Sequence, residues 1–119
     1  MTTFYLVFRV VPTSLNDHIS EVQGALTYCW VLADDPVSAT VLADFKVRQL
    51  HWDIVGVEEP PIAVTIDDCR DKQIALERYK AAQTQGISIA FAAWSQDGKT
   101  SAGAQQLKIS GTIYREFRN

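Results

Sequence analysis

Two cysteines, two histidines and three acidic pairs are the side chains of this 119-residue chain whose types and spacing invite chemistry. A structural zinc site needs Cys or His ligands paired on one turn, because two ligands from one turn hold a tetrahedron at little entropic cost. His18, Cys29, His51 and Cys69 are scattered and form no such pair, so no metal site is expected. Nucleophilic catalysis needs a thiol or hydroxyl activated by a base. Cys69 falls where a helix is expected to start, and there the helix dipole would favour its thiolate. The competing reading, a small semi-buried cysteine without a role, is the stronger one, and Cys29 in an apolar run reads as core.

His51 precedes Trp52 at a helix-to-strand handover, where it could act as a base or orient a ligand. Capping of the helix C-terminus, favoured by the dipole, explains it with less. His18 is expected in an exposed loop. Asp34-Asp35, Glu58-Glu59 and Asp67-Asp68 suggest carboxylate-pair or divalent-cation chemistry. The first and last are also helix starts, where carboxylates satisfy orphaned backbone donors, and Glu58-Glu59 precedes a proline corner. Neither GxGxxG nor GxxxxGK[ST] occurs, so no phosphate loop is present. The run Ile87-Ser-Ile-Ala-Phe-Ala-Ala-Trp94 lacks the basic, glycine and aromatic pattern of an RNA-recognition strand. No catalytic residue is assigned, and neither a cofactor nor nucleic acid is expected.

The elements that must position these residues follow from periodicity. Phe4, Leu6, Phe8 and Val10 alternate with Tyr5, Val7, Arg9 and Val11, which predicts a strand ended by Pro12. Residues 13–24 read as a loop. A second strand over 25–33 is apolar on both faces and so central to its sheet. Asp35 stands as N-cap with Pro36 at the first helical position, and the helix runs to about Leu50 with Val41, Leu42 and Phe45 on its buried side, helped by Ala39 and Val47. A strand over 52–57 is broken at Pro60-Pro61 by a tight corner, and another covers 62–66. Asp67 or Asp68 caps a second helix, which ends near Gln85 with Gly86 as its left-handed stop. Ala75, Leu76, Tyr79 and Ala82 form its stripe. A strand over 87–94, an Asp97-Gly98 turn and an alternating segment from Leu107 complete the pattern.

Residues 25 to 94 thus read as strand-helix-strand twice, a split βαβ arrangement. The order resembles a ferredoxin-like module, without a family-specific motif. The expected fold is an α+β, ferredoxin-like sandwich: a mainly antiparallel sheet of five or six strands with two helices on one face. A single domain is expected over 1–119. Residues 1–24 add an N-terminal strand and loop to the 25–94 core, and 95–119 form a C-terminal extension that ends in an edge strand. Two helices on one side would leave the other sheet face bare, and its apolar residues then call for a homodimer or higher oligomer.

Composition sets the outer bounds. Hydrophobic residues make up 47% and charged residues 21%, ordinary values for a folded chain. The formal net charge of -3 is uneven: residues 1–98 carry seven basic against thirteen acidic side chains, residues 99–119 four against one. An acidic body repels phosphate, whereas the basic end can pair with the body in one copy or across two. Two cysteines are too few for a disulfide scaffold, and no leader-like or membrane-spanning run is read, which makes the cytoplasm the expected location. The aromatic residues in and beside the strands, Trp94 least committed to the core, could line a pocket or an interface. The functional expectation is a small soluble non-enzymatic module that binds a protein partner or a small ligand as a homo-oligomer. The alternative is a small cofactor-independent enzyme with a pocket between sheet and helices. Convergence of two or more of His18, His51, Glu58 and Cys69 on one pocket would favour the enzyme.

Overall fold

A computed structural model describes residues 1–95 and 112–113. The element order is β1 (Thr2–Pro12), β2 (Val22–Ala33), α1 (Pro36–Gln49), β3 (Trp52–Val64), α2 (Ile66–Cys69), α3 (Gln73–Gln85), β4 (Ile87–Ser95) and a two-residue β5 (Thr112–Ile113). The fold is α+β. Four antiparallel strands lie in the order β3-β1-β2-β4, and β5 runs parallel beside Ala90 and Phe91 of β4.

Local chemistry explains the helix ends. Asp35 caps α1, its carboxylate accepting from the Ser38 backbone N–H at 2.7 Å, and Pro36 occupies the first turn, where its missing N–H costs no hydrogen bond. The second helical region divides. Thr65, not Asp67 or Asp68, is the N-cap of the short α2, and Asp68 closes a capping box by accepting from the Thr65 backbone N–H at 2.8 Å. After a break at 70–72, α3 runs to the Gly86 stop, whose φ of 87° is in the left-handed region.

Two features of the expected sandwich are corrected. The strands anticipated at 52–57 and 62–66 are one continuous β3, paired with β1 from Trp52 opposite Pro12 to Val64 opposite Thr3. Pro60-Pro61 makes no corner. It falls in a bulge between the Glu59–Val7 and Ile62–Tyr5 partners of a strand at the sheet edge, where a residue without an N–H is tolerated. This fusion leaves four antiparallel strands and the two-residue β5 among the described residues, against the expected five or six strands, and the order β3-β1-β2-β4 is not the ferredoxin-like one. The expected C-terminal edge strand from Leu107 lies outside the described residues apart from Thr112–Ile113.

The second correction concerns layers. Ala39, Ala43 and Val47 of α1 join Phe4, Leu6, Phe8, Val10, Cys29, Val31, Phe91 and Trp52 in one buried cluster. Ala75 and Ala82 of α3 join Val7, Tyr28, Trp30, Ala90 and Ala92 in another. Successive strand residues point to opposite faces, so the even-numbered residues of β1 meet α1 and its odd-numbered residues meet α3. The helices therefore lie on opposite faces of the sheet, and no bare apolar sheet face remains between them to demand a second copy. The α1 face is also corrected in part: Ala39 and Val47 are buried as expected, with Ala43, while Val41, Leu42 and Phe45 are 61%, 48% and 66% exposed.

Trp94 is half-buried at the end of β4, opposite Gly24 of β2, where a side-chain Cβ would stand 2.7 Å from the indole. Gly24→Ala should displace this ring and lower stability by about 1–3 kcal/mol. Trp30 and Trp52 are each 1% exposed, so a red shift of tryptophan emission in Gly24→Ala would report on Trp94. Unchanged emission and melting temperature would show that the indole does not pack on Gly24.

Candidate functional site

A cleft of about 440 Å³ opens where β3 passes the α2–α3 corner, within the usual size range of small-ligand sites. The sheet supplies Tyr5 of β1 as its aromatic wall, with the buried Trp30 of β2 packed behind it, ring centroids 5.1 Å apart and tilted by 49°. The register explains the wall: Tyr5 lies directly opposite Trp30 on one side and Ile62 on the other, so the three share a face. Glu59, Ala63 and Val64 line the β3 side, and Asp68, Cys69, Lys72 and Ala75 the helical side. The result is an apolar floor with two carboxylates and one ammonium at its edge.

Of His18, His51, Glu58 and Cys69, whose convergence would favour an enzyme, only Cys69 lines this cleft. It is the last residue of the four-residue α2, not a residue at a helix start, so the expected dipole activation is absent. Burial pushes its thiol pKa up and the neighbouring Asp68 carboxylate adds to this, against the opposing effect of a hydrogen bond with the Trp30 side chain. Cys29 is wholly buried in β2, and burial raises its thiol far above the ordinary value of 9.0. Both cysteines are free.

His51 lies elsewhere, in the left-handed conformation with φ 70° just beyond the end of α1. Its carbonyl accepts from the Thr13 backbone N–H at 3.1 Å, the Thr13 hydroxyl at 3.2 Å and the Asn16 side-chain amide at 3.0 Å. The segment after β1 is thereby pinned to the helix terminus through the His51 backbone, while the side chain stays exposed. The C-terminal capping region is the place expected for this residue. His18 contacts Glu21 at 3.1 Å in the same segment, and Glu58 pairs with Arg9 at 2.9 Å. Asp34 is exposed before α1, and Asp67 pairs with Arg70 at 2.6 Å. Among the described residues, no three His, Cys, Asp or Glu side chains are grouped to hold a metal ion. No helix among them is long and apolar enough to cross a membrane.

The chain matches no protein-family model, no curated protein and no solved structure.

Sequence reasoning weighed Glu59, Asp68 and Cys69 for chemistry but did not bring them together. Ile62, Lys72 and Ala75 were not singled out as site residues. The signal for Tyr5, Trp30 and Ile62 is the β3–β1–β2 register, and three bulges in β3 hide it from strand periodicity.

Neither thiol should react with a disulfide reagent at neutral pH in the native protein, and both should react in denaturant. Rapid native labelling of Cys69 would contradict its protonated, buried state. In the unfolded chain a thiol ionises near 9.0, whereas native Cys29 keeps its proton, so stability should fall as pH rises above about 9. The limiting slope is about 1.4 kcal/mol per pH unit, and Cys29→Ala should lessen it in denaturant melts at successive pH values. His51→Gly relieves a left-handed non-glycine residue and should raise stability by up to about 1 kcal/mol, measurable as a higher melting temperature. A loss of stability would show that the imidazole itself holds the turn.

Proposed function

We propose that this protein is a non-enzymatic binding module of the cytoplasm that takes a small ligand with an apolar, ring-sized body into the cleft between β3 and the α2–α3 corner. The observation that carries this reading is the half-buried Tyr5 ring, backed by the buried Trp30, in a cleft of about 440 Å³. Aromatic walls favour flat apolar groups by dispersion and edge or face contact. Glu59, Asp68 and Lys72 at the margin suit a polar end that hydrogen-bonds while the body is desolvated.

The alternative, a small cofactor-independent enzyme, draws less support. A base within hydrogen-bond reach of a nucleophile would favour it. Cys69 has a raised pKa, and His18 and His51 do not line the cleft. Two free buried thiols accord with a reducing compartment.

The reading is tested by native mass spectrometry of protein purified gently from its own host, beside Ile62→Trp. Ile62 is 54% exposed on the edge strand, so the larger ring is accommodated by the fold while it occupies cleft space. A small retained mass on the wild type, lost from Ile62→Trp at an unchanged melting temperature, is the expected result. A mass retained equally by both proteins, or none in any preparation, would overturn the proposal.

A further inference from the structure

The outward face of α1 has no function in the cleft, which lies on the other side of the sheet. Val37, Val41 and Phe45 recur every four residues along it and are 73%, 61% and 66% exposed, with Leu42 beside them at 48%. Together they expose on the order of 400 Å² of apolar surface, within the range of the largest apolar patch on a typical soluble monomer, which is often functional. With Ala39, Ala43 and Val47 buried on its inner side, α1 carries apolar residues on its outer side as well, interspersed there with the Asp44–Arg48 ion pair.

We infer that this face is the contact between two copies of the chain, with their α1 helices packed antiparallel about a two-fold axis at Val41. The charges identify a second copy as the occupant. Asp34 and Asp35 stand at the N-terminal end of α1, and Lys46 and Arg48 in its last turn. A two-fold axis at Val41 sets Val37 against Phe45 of the other copy and brings Asp34 beside the other copy's Arg48. One helix surface is thereby complementary to itself in both apolar and charged contacts, as an isologous interface requires. Antiparallel alignment also places each helix dipole beside its opposite. Arg48 already holds Asp44 at 2.8 Å within its own chain, so the new charge contact extends a network and does not create a lone pair. The patch is smaller than the roughly 800 Å² per partner of a standard interface, so the dimer is a weak one that dissociates on dilution.

The test is sedimentation of the full chain over a wide concentration range, followed by disulfide trapping. The wild type should move from monomer to dimer with concentration, less readily in high salt, and Phe45→Glu should stay monomeric with its melting temperature retained. Both native cysteines are buried, so an introduced surface thiol is read without interference. Val41→Cys at the axis should cross-link two copies under mild oxidation. Val37→Cys should not, because antiparallel packing sets its two thiols about 12 Å apart along the helices, at 1.5 Å per residue. Equal trapping at both positions would overturn the antiparallel geometry. A strict monomer at the highest soluble concentration, or a dimer unaffected by Phe45→Glu, would overturn the interface. Ligand retention in monomeric Phe45→Glu keeps this outcome separate from that of the cleft.

Discussion

Strands β1 and β2 carry apolar side chains on both faces, and this single constraint governs the molecule. Leu6, Phe8, Val10, Cys29 and Val31 point one way, and Val7, Tyr28 and Trp30 the other, all nearly inaccessible to water. Burying a large apolar side chain is worth about 1.5–3 kcal/mol, so neither set can be left in solvent. One helix covers one face. The sheet therefore needs two covers, and α1 and α3 provide them from opposite sides. The chain order permits this because α1 joins two parallel strands, β2 and β3, with β1 between them, while α2 and α3 carry the chain from the β3 edge over the other face to β4.

The strands supply the bulk of the core and the helices supply thin faces. Ala39 and Ala43 meet a layer containing Phe4, Phe8 and Trp52, and Trp52 stacks on Phe91 at 5.2 Å. Ala75 and Ala82 meet a layer containing Tyr28 and Trp30. Small helical residues let the helix axis approach the sheet closely enough to keep such a core free of voids. The same division releases the larger residues of α1 to the outside, and it leaves room for a cleft beside β3, where Ala75 is the α3 residue that reaches the aromatic wall.

Much of the local structure is legible from residue types alone. Asp35-Pro36 marks a helix start, Gly86 a stop, and the alternation in β1 a strand, because each depends on backbone chemistry within a few residues. The central place of β2 also follows from its two apolar faces. Errors arise where a long-range partner decides. Val41, Leu42 and Phe45 satisfy a helical periodicity as well as Ala39, Ala43 and Val47 do, and only the volume already supplied by the strands selects the alanine face. Pro60-Pro61 reads as a corner until β1 is placed beside it and an edge strand absorbs both prolines in a bulge. The cleft is hidden for the same reason: Tyr5, Trp30 and Ile62 belong to three strands and meet only through their register.

The claim on which the cleft and the outer α1 face both depend is that the two helices cover opposite faces of one sheet. Methyl-to-aromatic nuclear Overhauser effects in solution test it most directly. The account predicts that the methyls of Ala39, Ala43 and Val47 see ring protons of Phe4, Phe8, Phe91 or Trp52, and that those of Ala75 and Ala82 see Tyr28 or Trp30, with no ring shared between the two sets. Contacts from both helices to the same set of rings would place them on one face and contradict the account.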